Sequence, residues 1–283
     1  MTVNHQTRIL FWGIQRSGNH ALINWILEQY QEPKLFLNNQ PLGTELKASA
    51  KHLLKTYGSE HFFAPRLSYI HQQDSNWLEL WLNPTSGINQ VLLVSFENKI
   101  FDESFLEKYN QQCQIIDDFF GTTQKTINIV LLRDAFNMWI RDLPYPRKPQ
   151  NPQLWKAYAK EYLGETNFLP NKIAINYNQW FMDVNYRQNI SQKLGIAFSD
   201  AGIDQVPQYG GGSTFDGTEY NGKGQGMNVL NRWEESTKYR YKRRLFHTLR
   251  SDGEMRRLIQ TIYPDLEQKW NKPTWKNFIY YYF

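Results

Sequence analysis

The segment GIQRSGNH, Gly13 to His20, follows the apolar residues Ile9, Leu10, Phe11 and Trp12 and precedes the helix-like run ALINWILEQY. Gly13 and Gly18 have the GxxxxG spacing of a phosphate-binding loop. In an ATP or GTP site a lysine after the second glycine reaches the β- and γ-phosphates, and the next Ser or Thr hydroxyl holds Mg²⁺. Those two places are taken here by Asn19 and His20, which cannot duplicate that pair. What remains is a strand, a glycine turn containing Arg16 and Ser17, and a helix start whose free N–H groups favour an anion. Such a cradle suits one phosphate without a metal. The spacing alone also fits a structural turn, and the strand before and helix after favour the cradle.

A second constellation lies in INIVLLRDAFNMWIRDL, where Arg133 ends an apolar run and Arg141 follows eight residues later. Eight residues are about two helical turns, so both guanidiniums can meet one anion, each with a fork of N–H donors. One phosphate there and another at Arg16 imply a ligand phosphorylated at two separated positions. The competing reading pairs Arg133 with Asp134 or another carboxylate and leaves Arg141 solvated.

These residues need a scaffold that brings distant segments to one edge. Apolar, β-rich runs recur at 8–14, 34–39, 91–97, 127–133 and 172–178, with helix-like spacing at 18–30, 44–57, 103–110, 134–142, 153–163, 180–194, 237–250 and 253–262. That alternation predicts an α/β fold, a single P-loop-type three-layer domain over 1–283 with a central parallel sheet flanked by helices. Ligands of such sheets bind beyond the carboxyl ends of the strands, so Glu97, Arg133, Tyr177 and Asn178 are expected to gather near the loop. The proline-rich stretch 144–153 and the glycine-rich stretch 209–226 read as loops or lids.

Taken together, these segments resemble the P-loop-like sulfotransferase family, which uses 3′-phosphoadenosine 5′-phosphosulfate as donor. GIQRSGNHALINWIL is similar to the family's 5′-phosphosulfate loop, in which a basic residue precedes Ser-Gly, and this assigns donor contacts to Arg16, Ser17, Gly18, Asn19 and His20. INIVLLRDAFNMWIRDL is similar to its 3′-phosphate motif, with Arg133 at the strand end and Arg141 where the family usually has Ser. KIAINYNQW resembles the strand that carries a Tyr near the adenine, here Tyr177. GGSTFDG and GKGQGMNVLNRW are similar to the glycine-rich region that supplies an adenine-stacking Phe, here Phe215, and a basic 3′-phosphate contact, here Lys223. The resemblance runs in order from about residue 8 to 233, with long unmatched segments between 35 and 90. Further departures are Asn19 and His20 for the common Thr-Thr, and Ala21 for an aromatic.

The resemblance implies transfer of a sulfuryl group to a hydroxyl or amine of a small molecule or glycan, with no metal. Arg16 would stabilise the leaving phosphate and Glu97 would be the general base. His71, in RLSYIHQQD, is the alternative base. An ion pair of Glu97 with Lys99 or an arginine is the competing structural reading. The alternative function is a non-catalytic or kinase-like P-loop protein that binds an adenine nucleotide. Composition sets looser bounds. The net charge of +5 suits an anionic ligand without the dense basic runs of a nucleic-acid arm. Cys113 is the single cysteine, so no disulfide framework is expected and a cytoplasmic setting is. No apolar run has the length of a membrane span, so no stable membrane insertion is expected.

Overall fold

The computed structural model describes residues 3–30, 34–40, 42, 89–139, 152–206, 224–236 and 251–266. Their strands are β1 (Val3–Gly13), β2 (Lys34–Leu37), β3 (Asn89–Glu97), β4 (Thr122–Leu132) and β5 (Lys172–Asn176). They form one sheet in the order β2-β3-β1-β4-β5, every pairing parallel. Parallel neighbours need crossover connections, which the helices provide. These are α1 (Asn19–Leu27), α2 (Phe105–Phe120), α3 (Ala135–Trp139), α4 (Pro152–Leu163), α5 (Tyr177–Met182), α6 (Val184–Leu194), α7 (Arg232–Ser236) and α8 (Gly253–Ile262).

Toward the carboxyl edge the strands are apolar because both faces of the sheet are covered, whereas β1 and β4 begin with polar residues. Side chains alternate across the sheet, so β1 sends Leu10 and Trp12 to one core and Ile9 and Phe11 to the other. Trp12 stacks on Phe96 of β3 and packs edge-on against Phe105 of α2. That first core also takes Trp155 and Tyr158 of α4 and Met255 and Leu258 of α8. The second takes Leu22, Ile23, Trp25 and Ile26 of α1, Trp180 of α5 and Ile190 of α6. Asn128 is one of the buried polar residues of the sheet, with Arg8, Ser95 and Asn176. It accepts from Trp12 Nε1 at 2.9 Å and donates to the Tyr109 hydroxyl and the Pro170 carbonyl, which offsets the cost of burying an amide.

Several elements differ from the sequence expectation, each for a local reason. Tyr177 opens a helix rather than ending a strand, because the Asn176 side chain accepts from the N–H groups of Asn178 and Gln179 and starts α5 there. The run 180–194 is two helices, because Asp183 caps α6 through the Asn185 N–H. The helix expected over 103–110 continues to Phe120, its buried face extended by Ile115 and Ile116. Pro152 belongs to α4 rather than to the proline-rich loop, since proline at a first helical position loses no hydrogen bond. The expected helices 44–57 and 237–250 and most of the two loop segments lie outside the described residues.

β1 is the switch point of the sheet, with β3 on one side and β4 on the other. The carboxyl ends of these three strands meet in register at Gly13, Glu97 and Leu131. That edge is where the phosphate-loop motif emerges.

Candidate active site

The loop after β1 is a tight turn closed by Ser17. Its N–H donates to the Ile14 carbonyl at 3.1 Å, and its buried hydroxyl lies 2.6 Å from the same oxygen. The backbone is left-handed at Arg16, φ 77°, and again at Gly18, φ 89°. Glycine takes that conformation freely, whereas a side chain there is strained, and such strain is held where a site over-determines it. The two glycines of the motif also have steric reasons. A Cβ at Gly18 would lie 2.1 Å from Tyr177 Cε2, and one at Gly13 would lie 2.0 Å from Asn19 Oδ1.

Among the described residues no side chain caps the N-terminus of α1. The Arg16 side chain is exposed beside it. Ser17 and Asn19 turn inward instead. Asn19 Nδ2 donates to Glu97 Oε1 at 2.8 Å and to the Ile14 carbonyl at 3.2 Å, while Asn19 Oδ1 lies 2.7 Å from the Ser17 hydroxyl.

Glu97 is half-buried at the end of β3, and the chain around it is stitched to the loop. Its N–H donates to Asn39 Oδ1 at 3.3 Å. Asn98, left-handed at φ 56°, donates its N–H to the Gly13 carbonyl and accepts the Gln15 N–H on Oδ1. Beneath this turn lies Tyr158, whose hydroxyl is 3.5 Å from the Gly13 carbonyl. Burial drives the Tyr158 phenol far above its ordinary value, and the charge of Glu97 adds to that rise.

His20 stands in the first turn of α1 with Nε2 3.1 Å from Asn38 Oδ1 at the end of β2. The orientation of that amide follows from Ser95, whose hydroxyl accepts the Asn39 N–H at 2.8 Å and gives its own proton to Asn38 Oδ1. An amide oxygen only accepts, so neutral His20 carries its proton on Nε2 and its lone pair on Nδ1.

Arg133 follows β4 and is 4% exposed. Its guanidinium does not take Asp134. Nη1 donates to the Arg16 carbonyl at 3.2 Å, Nη2 donates to the Val229 carbonyl, and Cζ lies 4.7 Å from the centre of the Tyr177 ring. Its Nε is buried with no hydrogen-bond partner among the described residues. Asp134 is held by amides, from the Asn137 N–H and side chain and from Asn178 Nδ2 at 3.0 Å. Asn137 in turn donates to the Leu230 carbonyl and accepts the Trp233 N–H. Segment 229–233 is thus pinned against the end of β4. Tyr177 is 3% exposed, covered by Gly18 on one side and Arg133 on the other, and burial raises its phenol above the ordinary value although Arg133 opposes the rise.

The structure therefore brings together Arg16, Ser17, Gly18, Asn19, His20, Glu97, Arg133 and Tyr177 at one edge of the sheet. His71, Arg141, Phe215 and Lys223 lie outside the described residues. Sequence reading missed Asn38, Asn39, Ser95 and Asn98, which fasten the loop to β2 and β3. The signal was present as asparagines at strand ends, a residue type that tolerates left-handed backbone. Among the described residues no group of three or more His, Cys, Asp or Glu side chains is placed to hold a metal ion, and no helix is long and apolar enough to cross a membrane.

No family model matches the chain, and no curated protein matches it. Among solved structures it is similar to a sulfotransferase domain from the curacin biosynthetic pathway, at 11% identity and a TM-score of 0.47, covering 91% of this chain and 97% of that one. It is also similar to mouse sulfotransferase SULT7A1 complexed with PAP, at 14% identity and a TM-score of 0.39, covering 91% of this chain and 90% of that one.

Proposed function

We propose that this protein is a sulfotransferase that moves a sulfuryl group from 3′-phosphoadenosine 5′-phosphosulfate to a hydroxyl or amine of a small molecule or glycan. The observation that carries the reading is the loop at Gly13 to Gly18. It has the turn, the exposed arginine and the uncapped helix start of an anion cradle, with neither the lysine nor the hydroxyl that an ATP–Mg²⁺ site uses. The resemblance of the motifs around Arg16, Arg133 and Tyr177 to sulfotransferase motifs supports the same donor.

In this reading the backbone N–H groups of Gly18, Asn19 and His20 receive the 5′-phosphosulfate, since the Ser17 N–H closes the turn on Ile14 and the Ser17 and Asn19 side chains are occupied internally. Arg16 faces the bridging oxygen, where negative charge collects as the sulfur–oxygen bond breaks. Glu97 takes the proton of the acceptor while the acceptor's oxygen or nitrogen bonds to sulfur. The buried Nε of Arg133 is among the guanidinium donors left for the 3′-phosphate, and Arg141 and Lys223 would join it. Tyr177 supports this arrangement from beneath, holding Gly18 and Arg133 in place. Phe215 would stack on the adenine.

The test is incubation with ³⁵S-labelled donor and a panel of phenols, alcohols, amines and glycans in the presence of a chelator. Labelled product in chelator supports the reading. Absence of product across the panel, together with phosphoryl transfer from ATP and Mg²⁺, would place the protein with P-loop kinases instead.

A further inference from the structure

Asn19 stands where an ATP-binding loop has its lysine, and its side chain is spent entirely inside the protein. It is 4% exposed. Nδ2 is shared between the Ile14 carbonyl and Glu97 Oε1, and Oδ1 meets the Ser17 hydroxyl. Only its backbone N–H remains for an anion. The backbone of Glu97 is already fixed, by its N–H on Asn39 and by the Asn98 contacts to Gly13 and Gln15. The freedom left to the carboxylate is rotation about its own side-chain bonds, and the 2.8 Å bond from Asn19 removes it. Asn19 grips Oε1, so the proton-accepting role falls to Oε2.

We infer that Asn19 is a positioning residue, a bridge from the phosphate loop that presets the Glu97 carboxylate for accepting the proton of the incoming group. The inference rests on the sulfuryl-transfer reading with Glu97 as base. In the step it serves, the acceptor's O–H bond breaks and its proton passes to Glu97. The freed electron pair forms the new bond to sulfur, and the pair of the broken sulfur–oxygen bond stays on the departing adenosine bisphosphate. Ordering a glutamate side chain in advance is worth roughly tenfold in rate, because that rotational freedom need not be lost at the transition state. Because the same amide also bonds to the Ile14 carbonyl inside the loop turn, the base and the phosphate cradle move as one unit.

The experiment is a double-mutant cycle of Asn19→Ala with Glu97→Gln, read as kcat, KM for the donor, and affinity for adenosine 3′,5′-bisphosphate. Ser17 keeps its bond to Ile14 in the Asn19→Ala variant, and Asn19→Thr serves as a second variant that keeps polar bulk but has no amide to donate. The expected result is a kcat lowered roughly ten- to thirtyfold by either Asn19 variant, with bisphosphate affinity within about threefold of wild type. In the Glu97→Gln background the Asn19 change should cost nothing further, because residues acting through one group are non-additive. The same fold-loss in both backgrounds overturns the inference, as does a loss of bisphosphate affinity equal to the loss of kcat. A wild-type protein that transfers no sulfuryl group, or a Glu97→Gln variant with full turnover, overturns the underlying reading before any Asn19 variant is made.

Discussion

Arg16 combines a strained backbone with an exposed charge, and the two properties can be separated by substitution. At φ 77° a non-glycine residue costs about 1–2 kcal/mol, of which glycine would recover part after its own loss of chain entropy. Arg16→Gly should therefore leave the denaturant midpoint unchanged or slightly raised. The same substitution removes the charge-assisted contact proposed to the donor, worth roughly 1.5–3 kcal/mol, and should weaken donor binding roughly ten- to hundredfold. Affinity measured by calorimetry should fall while stability measured by urea does not. A parallel fall in both would mean that Arg16 is there for the fold. Residue identity alone made Arg16, Glu97 and Arg133 legible as site candidates, because charge at a strand end or in a glycine turn has few structural uses. The partners of these residues were not legible. Asn19 and Glu97 are 78 positions apart, and only the register of β1 with β3 brings them together.

At the scale of elements, the polar edge depends on how helices begin. Asn176 ends β5 and starts α5 by accepting two N–H groups, which sets Tyr177 beneath Gly18 and Asn178 against Asp134. Asn176→Ala should cost about 1 kcal/mol of stability, the usual value of a lost N-cap, measured by urea titration. Because Tyr177 carries Arg133 on its ring, bisphosphate affinity should fall as well, while the sheet's circular dichroism stays unchanged. Full bisphosphate affinity in this variant would show that α5 does not position the site. The extent of β5 and α5 was misjudged from sequence at this junction. An apolar strand and an apolar helix start look alike over a few residues, and the N-cap signal of Asn176, local as it is to Asn178 and Gln179, sits inside that ambiguous run. Strand β3 and the second halves of β1 and β4 were legible because burial on both faces makes them apolar, whereas the polar first halves from Val3 and from Thr122 carried no such run.

Across the whole molecule, α4 and α8 are clamped by charges that acid should release. Lys156 meets Asp252 at 2.9 Å and Glu254 at 3.0 Å, Lys160 meets Glu254 at 2.5 Å, and Arg257 forks onto Glu165. Each carboxyl lies below its ordinary value, Asp252 chiefly through the Met255 N–H and then Lys156, Glu254 through Lys160 and Lys156, and Glu165 through Arg257. A group whose pKa is depressed by folding contributes stability that is complete above its unfolded value and lost as pH falls through the folded one. The melting temperature should therefore hold steady above about pH 5 and fall as the pH drops below the ordinary values of 3.8 for Asp and 4.5 for Glu. These carboxyls are partly exposed, so 1 M salt should flatten the dependence. A melting temperature indifferent to pH from 6 to 3 would contradict the clamp. The consequence reaches the site because α4 also carries Trp155, which donates to the Arg133 carbonyl, and Tyr158, which lies beneath Gly13. The three-layer α/β plan was legible from the order of strand-like and helix-like runs. The clamp was not, since it joins residues almost a hundred positions apart by charges that follow no periodic pattern.

The claim that this phosphate loop serves a bisphosphorylated adenosine without a metal is tested most directly by thermal unfolding with two ligands side by side. A ligand that binds only the folded chain raises its melting temperature by mass action, in proportion to the logarithm of its concentration over Kd. Adenosine 3′,5′-bisphosphate in chelator should raise the melting temperature clearly, with little effect from ATP plus Mg²⁺ at the same concentration, and Arg133→Ala should abolish the preference. Stabilisation by ATP plus Mg²⁺ with none by the bisphosphate would contradict the account.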